Sequence, residues 1–178
     1  MRVEYDNVDG CYAYPFSRKD LPVLAEVDDP DTLARVRLIR FGCNNRTTQE
    51  ARLVGRGKHF DIRINFATDP SLCSRLRSRE ARYLNVLKAL GARIELDSNA
   101  AQWSKLSASK YARWLILHEF GHIVYVARNA GGGIAGRTSA AEEAFCDRFA
   151  WQGVNHLFIG QERAPNQGFS ADGKKRRG

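Results

Sequence analysis

The stretch from Lys110 to Asn129, KYARWLILHEFGHIVYVARN, constrains this chain more than any other. Its centre, Trp114 to Leu117, is apolar on every side, and a helix without a polar face belongs inside a domain. The same helix nevertheless carries His118, Glu119 and His122. Burying those groups is costly unless each finds a partner. A lone histidine on an apolar helix is usually a satisfied core residue, but two of the chain's four histidines stand here around a glutamate. Residues four apart share one helical face, because four residues make slightly more than one turn. Both imidazoles can therefore reach a single ion at the ~2.0–2.1 Å that zinc prefers. Glu119 lies at the flank of that face, where a carboxylate can take a proton from an attacking water without binding the metal.

A catalytic zinc normally has three protein ligands and one open position. No HExxHxxGxxH pattern follows, and the next histidine is His156. The segment Ser139 to Ala150, SAAEEAFCDRFA, supplies carboxylates beyond a glycine-rich loop that can reverse the chain. Glu142 and Glu143 compete for the third position. Ser139-x-x-Glu142 has the form of a capping box, which would turn Glu142 back to the start of its own helix and leave Glu143 as the ligand, with Glu142 next. Asp147 falls four residues after Glu143 on the same face, placed to accept a hydrogen bond from the far nitrogen of a ligand histidine. Tyr125 and His156 are the weaker candidates for a donor to a tetrahedral oxyanion.

Around this core the pattern reads as an α+β domain. Val36–Phe41 (VRLIRF) alternates as a half-buried strand, and Lys58–Ala67 does so most clearly, with Phe60, Ile62, Ile64 and Phe66 on one face. Asp69-Pro70 predicts a helix start, and Gly91 a left-handed stop to that helix after Leu90. Ala92–Asp97 predicts a short strand. Ser107 or Ser109 would cap the long helix, and a last helix would run from Thr138-Ser139 to near Gly153. The first thirty residues, broken by Pro15, Pro22 and Pro30, read as irregular. The expected domain spans residues 1–160, followed by a flexible basic tail over 161–178 that ends in Lys174-Lys175-Arg176-Arg177.

At 178 residues the chain can bury a core without disulfides, and Cys11, Cys43, Cys73 and Cys146 form no CxxC pair; reduced thiols are expected. No run approaches the ~20 apolar residues of a membrane span, and the first ten residues lack the apolar core of a signal peptide. The expectation is a cytoplasmic protein with no membrane partner. The net charge of +8 favours acidic partners such as nucleic acid, although the arginines are scattered along the sequence.

HEFGH followed by ExxxD resembles the gluzincin branch of the zincin metallopeptidases, over about Leu115 to Ala150. The resemblance implies zinc held by His118, His122 and Glu143, with Glu119 as general base and acid and Asp147 behind a ligand. It also implies a zincin-like domain, in which a small twisted sheet packs on the active-site helix and an edge strand pairs with an extended protein or peptide substrate. The strands over Ala92–Asp97 and Lys58–Ala67 are the two candidates for that pairing. The stretch EAFCDRFA is also similar to the compact ImmA/IrrE-like peptidases. The DIRIN strand and the basic charge resemble the SprT-like proteases, which act on DNA-bound proteins but use a third histidine that is missing here. The rival expectation is a nucleic-acid-associated protein with a structural or vestigial zinc site.

Overall fold

The computed structural model describes residues 1–6, 14–16, 30–42, 49–56, 58–129 and 138–162, with 30–32, 56 and 156–162 by backbone alone. The described residues form an α+β fold. In chain order the elements are β1 (Arg2–Tyr5), α1 (Pro30–Arg35), β2 (Val36–Phe41), β3 (Ala51–Arg56), β4 (His59–Ile64) and β5 (Cys73–Arg75). Then come α2 (Ala81–Ala89), β6 (Arg93–Glu95), β7 (Ala100–Gln102), α3 (Lys105–Arg128) and α4 (Ala140–Glu162). Strands β1-β2-β4-β3 make one sheet, in which β2 runs parallel to β1 and β4, and β3 runs antiparallel to β4. Strands β5-β7-β6 make a small antiparallel sheet.

The strand alternation is what builds the core. Ile39 and Phe41 of β2 and Ile62 and Ile64 of β4 are fully buried, and they share one hydrophobic cluster with Ile116, Leu117, Phe120 and Ile123 of α3. Helix α3 packs on β3 and β4 and, along its length, on α4. Every residue from Tyr111 to Leu117 is buried, as a helix without a polar face requires. No helix among the described residues is long and apolar enough to cross a membrane. Cys73 and Cys146 are free thiols; Cys11, Cys43 and the tail beyond Glu162 lie outside the described residues.

Several local expectations are corrected. The helix expected from Asp69 does not form there. Asp69 Oδ1 instead accepts the Cys73 N–H at 2.8 Å, Leu72 turns left-handed at φ 61°, and residues 73–75 pair with β7. An aspartate before a proline can close a turn as well as start a helix, and here the gain of ladder hydrogen bonds decides. The helix begins only at Ala81, but it ends as read. Gly91 at φ 93° donates to Lys88 O, and Ala92 donates to Leu87 O, which together are a Schellman motif. Helix α3 is capped by Ser104, not by Ser107 or Ser109; Ser107 occupies the third helical position and bonds back to Ser104. Helix α4 continues past Gly153 to Glu162. Arg2–Tyr5 forms a strand within the stretch read as irregular, and Pro30 opens α1. Strand β3 has no counterpart in the sequence reading.

The close approach of α3 and α4 rests on Gly121, the glycine of HEFGH. A Cβ there would stand 2.8 Å from Cys146 Cα and 3.1 Å from Cys146 Cβ and Sγ. The Cα is backbone and cannot swing aside. We expect Gly121→Ala to destabilise the protein by about 1–3 kcal/mol, overriding the ~1 kcal/mol that alanine gains over glycine in an unconstrained helix. Chemical denaturation measures this, and a variant as stable as the parent would show that the helices do not touch at this point.

Candidate metal centre

Two helices and one strand build the centre. Helix α3 carries His118, Glu119 and His122 one turn apart, and α4 carries Glu142, Glu143 and Asp147 on the face opposite them. The ligand atoms of His118, His122 and Glu143 lie within 4.8 Å of one another. His118 Nε2 is 3.4 Å from Glu143 Oε2, and His122 Nε2 is 3.8 Å from Glu143 Oε1. Thr138 Oγ1 donates to Glu143 Oε1 at 2.7 Å and helps fix the carboxylate.

The other nitrogen of each ring also faces a carboxylate. His122 Nδ1 is 2.8 Å from Glu142 Oε1. His118 Nδ1 is 3.0 Å from Asp147 Oδ1, although this buried contact is too oblique for a hydrogen bond and acts as an ion pair. The capping-box reading of Glu142 is therefore half right. Ser139 Oγ accepts the Glu142 N–H at 3.1 Å, but the Glu142 side chain leaves the cap and turns to His122. A buried imidazole has more to gain from a carboxylate than an exposed backbone N–H does, since water can serve the latter. Asp147 is held from behind by Arg82 of α2 at 2.5 Å.

Electrostatics follow from this packing. Burial alone would lower the His118 imidazole, but its contacts with Asp147 and then Glu143 outweigh burial and raise it to about 9. The contact with His118 holds the Glu143 carboxyl down to about 2. Burial pushes the Glu119 carboxyl above the usual carboxylate range, against the pull of His118 and His122. The backbone amide of Leu53 in β3 also pulls that carboxyl down. Glu119 and His122 are each only 6% exposed, so these groups act on one another with little screening.

A cavity of about 180 Å³ opens beside His118 and Glu143, walled by Tyr83, Val86, Tyr111 and Trp114. The Trp114 ring lies 5.2 Å from the His118 ring. Tyr125 does not line this cavity and packs its ring on Phe145 instead. The His156 side chain lies outside the described residues. Sequence reasoning missed Arg82, which is 65 residues from its partner Asp147, and the Leu53 amide; neither has a local signature. Of the two strands expected to receive a peptide, Lys58–Ala67 is excluded because β4 is paired on both sides, to β2 and β3. The sheet edge beside Glu119 is β3. No known protein family, curated protein or solved structure matches the chain.

One more buried acid bonds two of the tyrosines that wall this cavity. Glu50, 8% exposed, accepts the Tyr83 hydroxyl at 3.0 Å and also the Tyr111 hydroxyl. Burial pushes its carboxyl up to about 7, opposed by those hydroxyls and by Arg77. The folded chain therefore holds a proton that the unfolded chain releases between pH 4.5 and 7, and stability falls as pH rises through that window. The full loss, on the order of 3 kcal/mol, is present above pH 7. Glu50→Gln should remove it. Denaturation at pH 5 and pH 8 should show a smaller difference in the variant than in the parent, and an unchanged difference would refute the assignment.

Proposed function

We propose that this chain is a zinc-dependent metallopeptidase of the zincin type that hydrolyses a protein or peptide substrate. The observation that carries the reading is the opposed pairing of both imidazoles. Each Nε2 faces Glu143 while each Nδ1 faces a separate carboxylate. Glu142, hydrogen-bonded at His122 Nδ1, would hold the proton there, and the charge of Asp147 3.0 Å from His118 Nδ1 would favour it on that nitrogen; each Nε2 is then the ligand atom, which is how metal-ligating histidines are commonly oriented. Ligands at 2.0–2.2 Å around a tetrahedral zinc would stand roughly 3.4 Å apart, and the separations of 3.4 Å from His118 to Glu143 Oε2 and 3.8 Å from His122 to Glu143 Oε1 are near that spacing, one to each carboxylate oxygen. Three protein ligands leave a fourth position open, which favours a hydrolytic site over a closed structural one.

Zinc at this position would lower the pKa of a coordinated water towards 7 and polarise a carbonyl. The chain's own residues supply the rest. Glu119, buried and with a raised pKa, accepts the proton of the attacking water and delivers it to the leaving nitrogen. The outer edge of β3, unpaired among the described residues and with its Leu53 amide beside Glu119, is the surface along which an extended peptide would add as a further strand.

Two measurements test the reading. Elemental mass spectrometry of the purified protein should find about one zinc per chain, absent from His122→Ala. In Glu119→Gln the zinc should remain, while peptide hydrolysis falls about 100- to 10,000-fold. A well-folded parent that neither contains nor takes up zinc would end the proposal. Arg82 adds a finer check. It orients Asp147 and so His118 from one step further out, and Arg82→Gln should weaken zinc binding by roughly 3- to 10-fold, less than the ~10- to 100-fold typical of a direct partner of a ligand. Unchanged zinc affinity would reduce Arg82 to a surface ion pair.

A further inference from the structure

The arginines that look scattered in the sequence are gathered by strand register. Arg40 of β2 is paired with Arg63 of β4, and Arg63 is paired with Arg52 of β3. The three stand in one row across adjacent strands. At about 4.8 Å per strand the row is roughly 10 Å long. Flanking positions in the same strands, Ile39, Phe41, Ile62 and Ile64, are fully buried in the core. Strand alternation therefore puts the arginines on the opposite face, away from α3 and the metal centre.

Like charges directly opposite each other on neighbouring strands are destabilising, so this row has a cost to offset. Asp6 offsets part of it, bonding Arg40 Nε at 2.6 Å and Arg40 Nη2 at 2.5 Å. Gly42 makes room for this contact, since a Cβ there would stand 2.6 Å from Asp6 Oδ2. Among the described residues no acid pairs with Arg52 or Arg63. The row borders a cavity of about 240 Å³ lined by Asp6, Arg40, Gly42, Arg52, Arg63 and Asn65. Among the described residues, that is a depression holding two guanidinium groups without an acidic partner beside a third that is neutralised.

We propose that this row is a binding site for phosphoryl groups, with Arg52 and Arg63 as its principal ligands. Planar guanidinium forks match the oxygens of a phosphate and bind them two at a time. An anion seated between Arg52 and Arg63 also relieves their mutual repulsion, which water does only by screening. The row contains no aromatic residue, so it offers no platform for stacked bases. Recognition is through phosphate alone, whether of a nucleic-acid backbone or of a free phosphorylated molecule. The net charge of +8 draws polyanions to the surface in general. The row is where they would be held.

The test uses the full chain, a fluorescent single-stranded oligonucleotide and inorganic pyrophosphate. The Arg52→Gln/Arg63→Gln variant is compared with a charge-matched control, Arg75→Gln/Arg93→Gln, in the other sheet. For a nucleic-acid backbone, the slope of log affinity against log salt should become shallower by about 1.4 in the row variant, at ~0.7 for each phosphate of a single strand that is no longer neutralised. The control should keep the parent's slope. For a free phosphorylated molecule, pyrophosphate should bind the parent, displace the oligonucleotide and fail to bind the row variant. Removing two repelling charges should leave the melting temperature unchanged or raised, so weaker binding would not reflect unfolding. The proposal is overturned if neither probe binds the parent, or if the row variant and the control lose binding equally.

Discussion

Everything at the centre of this molecule depends on α3 and α4 coming within van der Waals contact at Gly121 and Cys146. The glycine removes the one side-chain atom that would hold the helices apart. Once they touch, Glu142, Glu143 and Asp147 are carried up to His118 and His122, and five polar side chains close on one another in an otherwise apolar interface. Neither helix could bury its own polar groups alone. A histidine inside a helix has no intrahelical partner to satisfy its ring, and a carboxylate facing an apolar neighbour would give up its charge. The pairing makes the burial tolerable, and the burial in turn keeps the pairing strong.

The two faces of the larger sheet divide the chemistry. On the inner face, Ile39, Phe41, Ile62 and Ile64 belong to one buried cluster with α3, which packs on β3 and β4, and the edge strand β3 brings the Leu53 amide to Glu119. On the outer face, the alternate residues of the same strands form the arginine row. One strand thus serves a buried acid through its backbone and a basic surface through its side chains. Because alternation separates the two, changes in the row need not disturb the centre.

Much of this was legible in the sequence. Two histidines one turn apart around a glutamate, inside a helix with no polar face, require partners, and Glu143 and Asp147 stand where helical spacing places them. Strand β2 and the main part of β4 follow from alternation, and Gly91 stops its helix as its conformational freedom allows. Other features resisted reading because local chemistry was ambiguous. Asp69-Pro70 suits a turn as well as a helix start. Ser139-x-x-Glu142 suits a capping box, yet only the serine caps while the glutamate goes to His122. Strand β3, with Gly55 and alternation that is only half buried, has too weak a pattern to stand out.

What the sequence by itself determined is the set of groups that must be satisfied: a buried helix carrying His118, Glu119 and His122, and a later helix rich in carboxylates. Local spacing decides these, because residues four apart share a helical face whatever surrounds them. What only the tertiary structure decided is which partner each group takes. Arg82 reaching Asp147 across 65 residues, the Leu53 amide meeting Glu119, and Arg40, Arg52 and Arg63 falling into one row are all set by packing and strand register. Those choices come from the competition among non-local contacts for a limited interior, and no window of sequence contains both sides of that competition.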